Sequence, residues 1–347
     1  MHPPQPLLPA TATVSLGAPG THSVIPILEA ASKAGLKGIE IFYNHLAHHA
    51  ASISNSAVDD VTQASLLQAA KDIRQQCDTL SLTVITLQPF AQYDGLLDQH
   101  QHHLLVRKFK LWIDLAHILG CDIVQIPTNM VKEGTTGDID KIVADIDELA
   151  QLASEADPVI NLAYEAMSWG AHHNLWEHSW EVVKRVDREN VGLCLDTYHI
   201  ASRVWADPCS ATGETESADE DLAASLARMA AQVDVNKIFY LQLSDAERLS
   251  SPLLEGHEFY NPKQPPRMSW SRNARLFPCE EGRGGYMPVL DIARVIVNEL
   301  GYRGWISMEI FSRHLSDPGE SVPVEYAERA LASYLKVRER LNWNTLK

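Results

Sequence analysis

The 347-residue sequence has no apolar run of the roughly eighteen residues that a membrane-crossing helix needs, which excludes a transmembrane helix. Its opening, MHPPQPLLPA, has neither a basic segment nor a continuous apolar stretch, so it does not read as a secretory signal. Cysteine is scarce: Cys77, Cys121, Cys194, Cys209 and Cys279 are scattered, odd in number and never spaced C-x-x-C. That pattern excludes a disulfide framework and a zinc knuckle and fits reduced thiols in the cytoplasm. Cationic residues are outnumbered, 29 Lys and Arg against 45 Asp and Glu, for a formal charge of −16. Such a surface repels phosphate, so a nucleic-acid partner, and an endonuclease activity with it, is not expected. A small anionic substrate remains open, provided a local cationic pocket receives it. No Gly-rich phosphate fingerprint follows the first candidate strand, and no internal repeat or domain linker interrupts the chain.

What is present is an alternation. Short apolar, β-branched segments recur at Thr13–Leu16, Gly38–Phe42, Thr83–Leu87, Asp122–Ile126, Val159–Glu165, Gly192–Asp196, Ile238–Leu243 and Trp305–Ile310. Helical periodicity lies between them, for example over Val24–Ala34, Gln101–Leu119, Ile139–Glu155, Leu222–Val233 and Val289–Leu300. Asp98 is placed to cap one helix, and Gly120 and Gly301 to end two others. Eight strand-helix units predict an α/β protein, a single (β/α)₈ barrel over residues 1–347, with an open doubly wound sheet as the weaker architecture. Two long loops interrupt the rhythm. Residues 206–221 form an acidic insertion, whereas residues 249–286 carry Arg267, Arg272, Arg275 and Arg283 among aromatics.

In a barrel, the C-terminal strand ends converge on one face. Here they end in Glu165, Asp196, Gln242 and Glu309, each inside or just after an apolar run. Carboxylates brought together without water repel one another, and a divalent cation relieves that repulsion. Three carboxylates and an amide carbonyl suit Mg²⁺ or Mn²⁺, with Co²⁺ as a substitute. A lone acid at a strand end is usually a cap or an ion-pair partner; the joint pattern carries the metal assignment. His199, three residues past Asp196 in LDTYHI, is the candidate general acid or base. In the Arg-bearing loop, Arg275 with Ser271 is the preferred clamp for a substrate carboxylate, and Arg267 and Arg272 are alternates. Glu40, Gln88 and Asn129 end the second, third and fourth strands and either line the pocket or serve structural hydrogen bonds. His45, His48 and His49 form a histidine-rich patch that reads as a wet helix face, and Trp169 either walls the pocket or packs in the core.

The stretches YEAMSWGAHHNLWEHSW, LCLDTYHIASRVW, RMSWSRNARLF and GYRGWISMEIF resemble the 3-dehydroshikimate dehydratases of the fungal quinate-catabolism type, within the xylose-isomerase-like barrel superfamily. The likeness runs from about Ala12 to the end. It implies a metal at Glu165, Asp196, Gln242 and Glu309, a catalytic histidine at His199, and substrate contacts from Ser271 and Arg275. Many sugar isomerases and epimerases of that superfamily have histidine at the seventh-strand ligand and a Glu-x-His pair at the fifth. This chain has Gln242, and Met167 two residues after Glu165, as in the dehydratase branch.

The activity implied is elimination of water from 3-dehydroshikimate to give protocatechuate, by a cytoplasmic lyase of quinate and shikimate catabolism. Homo-oligomerisation is compatible with the sequence, and no membrane partner is expected. A sugar or keto-acid isomerase or epimerase of the same barrel type, and a non-catalytic ligand-binding homologue, are the alternatives.

Overall fold

A computed structural model describes residues 6–345. The reading of the opening residues as not a signal falls partly on residues 1–5, outside the described residues. The parallel strands β1 (Leu8–Ala12), β2 (Gly38–Phe42), β3 (Thr83–Gln88), β4 (Ile123–Pro127), β5 (Asn161–Glu165), β6 (Val191–Asp196), β7 (Ile238–Gln242) and β10 (Trp305–Met308) close into a barrel. Closure is made by β1, which pairs with β2 on one side and β10 on the other, Leu8 opposite Trp305. A two-residue antiparallel pair, β8 (Asp245–Ala246) and β9 (Arg275–Leu276), sits beside the mouth.

Helices α1 (Val24–Ala34), α2 (Tyr43–Ser54), α3 (Gln63–Thr79), α4 (Gln99–Leu119), α5 (Ile139–Ser154), α6 (Trp176–Val186), α7 (Thr197–Val204) and α8 (Ala218–Gln232) follow the first six strands; α9 (Pro266–Ala274), α10 (Val289–Arg294) and α11 (Val322–Arg340) complete the set. Asp98 caps α4 by accepting from the amides of His100 and Gln101, and Gly120 ends it in the left-handed region at φ 72°. Among the described residues no helix is long and apolar enough to cross a membrane.

The strand at the N-terminus differs from expectation. Thr13–Leu16 is not a strand but a short turn of 3₁₀ helix and its cap, and the strand is the preceding Leu8–Ala12. Pro9 weakens the strand signal because it lacks an N–H. The barrel uses only its carbonyl, which accepts from the Lys37 amide at 2.9 Å.

Side-chain alternation sorts each strand into two environments. Ile39, Leu162, Leu193, Leu241 and Ile306 face the helices and join the main core, whereas Ala10, Ile85, Ile123, Ala163, Cys194 and Tyr240 fill the barrel interior. Two register shifts adjust the alternation. The β2–β3 pairing runs from Ile39–Val84 to Glu40–Thr86, passing over Ile85. The β6–β7 pairing runs from Leu193–Ile238 to Cys194–Tyr240, passing over Phe239. Each is a one-residue bulge that resets which side chains point inward farther along the strand.

The layer between sheet and helices carries the burial that drives folding. Leu149 of α5 lies in it, fully buried. We predict that Leu149→Ala costs about 2–5 kcal/mol in denaturant unfolding. A loss below about 1 kcal/mol would mean that α5 repacks without the side chain.

Candidate active site

The inward positions one step beyond the interior layer are polar. Two residues past Cys194 comes Asp196, past Tyr240 comes Gln242, past Ala163 comes Glu165, and past Ile123 comes Gln125. Ser307 places Glu309 in the same way, and Glu40 follows Ile39 on β2. The pairing sets Asp196 beside Gln242, while Gln125 stands opposite Ala163 and Ser307 opposite Gln242, so Gln125 lies below Glu165 and Glu309 above Gln242. Period-two alternation therefore turns residues of six strands into one buried polar group at the C-terminal end of the barrel.

Four carboxyl groups, those of Glu40, Glu165, Asp196 and Glu309, share this space with one guanidinium, that of Arg275. Arg275 enters from β9 and is only 1% exposed. Its Nη1 donates to Asp196 Oδ2 at 2.6 Å and lies 3.4 Å from Glu309 Oε2, and its Nε donates to Ser271 Oγ at 2.8 Å. The guanidinium carbon lies 4.1 Å from the centroid of the Tyr198 ring and 5.4 Å from that of Phe311. Burial works against its charge, but Asp196 and Glu309 outweigh that and raise its pKa.

One cation does not neutralise four acids. Burial pushes Glu40 up to about 7, and burial with the charge of Glu40 pushes Glu309 up to about 8. Glu165 is raised well above the usual carboxylate range by burial, then by Asp196 and Glu309. Asp196 is raised by burial, against the pull of Arg275. Amides supply part of the relief: Gln88 Nε2 donates to Glu309 Oε1 at 2.7 Å and to Glu40 Oε2 at 3.2 Å, and Gln125 Nε2 donates to Glu165 Oε2. Glu165 Oε1 is buried with no hydrogen-bond partner.

His199, on the first turn of α7, faces the same point. Its Nε2 is 3.7 Å from Glu165 Oε1 and 3.6 Å from Asp196 Oδ2. Donor atoms of Glu165, Asp196 and His199 all lie within 4.8 Å of one another, a spacing that one metal ion can bridge. The orphaned Glu165 oxygen and the excess of buried carboxylates fit a divalent cation on chemical grounds. His199 Nδ1 accepts from the Ser168 amide at 3.0 Å and is 3.3 Å from Ser168 Oγ, while Arg275 Nη2 is 2.9 Å from Nε2. A neutral ring accepts at one nitrogen only, so the Ser168 and Arg275 contacts compete to set its tautomer. Burial, then Arg275, holds its pKa well below the ordinary 6.5, which keeps the ring neutral. Trp169 packs edge-on against it, ring centroids 4.7 Å apart.

A cavity of about 130 Å³ opens above this cluster, lined by Glu165, Glu309, His199, Ser271, Arg272 and Arg275, with Trp169, Phe42 and Phe311 as walls. Its size suits a compact ring and not the larger ligands of sites of ~300–1,000 Å³. Ser271, Arg272 and Arg275 of the Arg-bearing loop therefore meet the cavity. That loop is not irregular throughout: residues 266–274 form α9, which hands Arg275 to the site.

Other expected contacts turn elsewhere. Arg267 donates from Nη2 to the Ala206 carbonyl at 3.1 Å and also bonds the Ser202 carbonyl, so it braces α7 instead of contacting a ligand. Asn129 spends its amide on the Asp94 carbonyl and the Val131 amide, at 2.9 and 3.0 Å, and does not line the cavity. Glu40 is fully buried beneath the floor, bonded to Gln242, Gln88 and Ser307, so it is not a substrate contact either. Gln242 stands at the matching strand end, but its Nε2 donates to Glu40 at 3.0 Å and its Oε1 accepts from Cys194 Sγ at 3.3 Å. Directing that carbonyl at a cation requires turning the amide. Gln125 was not anticipated; its signal is an amide at an inward position of an otherwise apolar strand, IVQIP.

The profile of the xylose isomerase-like TIM barrel family matches residues 28–336. A 3-dehydroshikimate dehydratase of Neurospora crassa is 44% identical over 323 residues, which span 92% of this chain and 90% of that protein. A 3-dehydroshikimate dehydratase of Pseudomonas aeruginosa is 30% identical over 319 residues, and the match takes in only 41% of that longer protein. Among solved structures, the IOLI protein with a bound zinc atom superposes with a TM-score of 0.67 at 19% identity, over 96% of this chain and 99% of that one.

The electrostatics set a pH dependence for the metal-free chain. Glu40 and Glu309, together with Asp94 and Asp245, which burial lifts to about 6 and about 7, hold protons more tightly folded than unfolded. Their contribution to stability is complete below the ordinary carboxylate pKa and is lost as pH rises through about 6 to 8. His45, lowered to about 3 by burial, acts in the opposite sense, but only up to its ordinary 6.5. Between about pH 6.5 and 8, chelator-treated protein should therefore lose roughly 1.4 kcal/mol per pH unit for each of these protons that the folded chain still holds and the unfolded chain has lost. A melting temperature that holds or rises across that interval would contradict the assignment.

Proposed function

The chain belongs to the xylose isomerase-like TIM barrel family, in its 3-dehydroshikimate dehydratase branch, and from that premise we propose that it removes water from 3-dehydroshikimate to give protocatechuate. The observation that carries this reading is the meeting of Glu165, Asp196, Glu309 and His199 beneath a cavity whose rim is cationic. Glu165, Asp196 and Glu309 would hold one divalent cation, with Gln242 as a further donor once its amide turns. Carboxylate oxygens favour Mg²⁺ or Mn²⁺, and Co²⁺ as a substitute. When bound, the cation supplies Lewis-acid polarisation of the ring carbonyl.

The protein's own groups do the rest. Ser271 and Arg275 receive the substrate carboxylate, and Arg272 guards the mouth. Phe42, Trp169 and Phe311 exclude water from the ring faces. His199 acts as the base from Nε2, which places its proton on Nδ1: that N–H turns to Ser168 Oγ, and the bond Nδ1 accepts from the Ser168 amide is given up. It takes a ring proton next to the polarised carbonyl, and the C–H electron pair becomes the new ring double bond as the β-hydroxyl leaves. The imidazolium returns the proton to the departing hydroxyl, which leaves as water. Tautomerisation of the ketone completes the aromatic diol. Aromatisation drives the sequence, so no redox cofactor takes part.

Incubation with 3-dehydroshikimate should release protocatechuate, seen by its ultraviolet absorbance, with Mg²⁺ or Mn²⁺ present and not after chelation. No product under any divalent cation would end the proposal. His199→Ala should lose at least about a hundredfold in turnover while retaining the metal; near-normal turnover would remove His199 from the mechanism. Arg275→Met should raise KM at least about tenfold and lower kcat as well, because a charge-assisted contact worth ~1.5–3 kcal/mol and the neighbour of Asp196 both disappear. If only Arg272→Ala raises KM, the carboxylate lies at the rim instead.

A further inference from the structure

Beside the barrel mouth, the loop after β1 and helix α2 enclose a second and larger cavity of about 500 Å³. His22, His45, His48 and His49 line it among small polar side chains, with no carboxylate, lysine or arginine in the wall. The dehydration described above uses none of these groups.

Two of the rings are fixed and left with an unused nitrogen. His22 is 9% exposed, and its Nε2 lies 3.2 Å from the Gly319 carbonyl. A carbonyl only accepts, so the ring proton is on Nε2 and Nδ1 keeps a bare lone pair. That nitrogen is buried without a partner. His45 is 1% exposed; its Nδ1 is 3.1 Å from Thr13 Oγ1, and its Nε2 is likewise buried without a partner. This is how metal-binding histidines are commonly held, one nitrogen anchored to an oxygen and the other presented. Leaving such groups buried and unpaired is costly, and a ligand would remove that cost.

The third ring is His48, close to one turn on from His45 and half-buried in the same wall. It packs against Gly20, where φ is +84° and a Cβ would stand 2.9 Å from His48 Cε1. The bare glycine is what allows the ring to approach the loop that carries His22. His49, by contrast, turns to Asp72 on α3, with Nε2 3.5 Å from a carboxylate oxygen.

We propose that His22, His45 and His48 form a second cation site, built from imidazole nitrogens and selective for a borderline transition ion such as Zn²⁺, Ni²⁺ or Cu²⁺. Neutral imidazoles suit these ions, whereas hard cations prefer the carboxylate centre. The three rings do not yet enclose a point: among the described residues, the group whose donors already lie within 4.8 Å is Glu165, Asp196 and His199. His48 is the least buried of the three, so on this proposal it is the ring that moves when a cation enters. Thr13 carries the effect inward, because the hydroxyl that meets His45 also accepts the amide of Phe42 at 3.0 Å, and Phe42 walls the reaction cavity.

Cu²⁺ added to the whole protein with Mg²⁺ in excess provides the test, read by electron paramagnetic resonance and by bound copper per chain. We expect one copper with nitrogen hyperfine structure from imidazoles, retained in Asp196→Asn, which damages only the carboxylate centre. His22→Asn and His48→Asn should each weaken that copper at least tenfold while protocatechuate formation with Mg²⁺ continues. A nitrogen signal of equal strength in both histidine variants would assign the copper to other histidines and overturn the site. Loss of the signal in Asp196→Asn would overturn it too, by placing the copper at the carboxylates. Failure of dehydration alone, with the copper site intact, would count against the proposed reaction and not against this site.

Discussion

Carboxyl groups that cannot reach water govern the organisation of this molecule. Glu40, Glu165, Asp196 and Glu309 meet at the C-terminal end of the barrel, and the protein answers with one guanidinium, the amides of Gln88 and Gln125, and protons held beyond their ordinary pKa. Each answer is partial. A site that is under-compensated by design is one that a divalent cation can stabilise, and the energy stored in mutual repulsion becomes affinity for that cation. The aromatic rings of Tyr198 and Phe311 serve the same end by packing beside the guanidinium among the acids.

Much of this was legible in the chain because a strand buried on both faces has little tolerance for charge. Glu165, Asp196, Gln242 and Glu309 stand out as polar endings to apolar runs, and Asp98 and Gly120 mark helix ends by simple chemistry. What the sequence hid has physical reasons. Pro9 masked the first strand. The bulges at Ile85 and Phe239 leave no compositional mark, so the inward turn of Gln88 could not be separated from an ordinary structural amide. Arg267, Arg272 and Arg275 look alike in a loop that periodicity does not identify as helical. Only the placement of α9 distinguishes the arginine that braces α7 from the one at the rim and the one among the carboxylates.

The direction of each amide was equally hidden. Gln242 sits at the expected height, yet its hydrogen bonds run to Glu40 and Cys194, which ties the floor of the site to the barrel interior. Glu40 is thereby a keystone between floor and rim, although its position on β2 suggested a surface for substrate.

The bulge on β3 makes that strand a counting device. Because the pairing passes over Ile85, Gln88 arrives on the side where Glu309 accepts its amide. Were Ile85 taken into the ladder instead, Leu87 would stand opposite Phe42 and face the acids, and Gln88 would turn to the helices. The skipped residue, more than the composition of β3, is thus what selection has to guard.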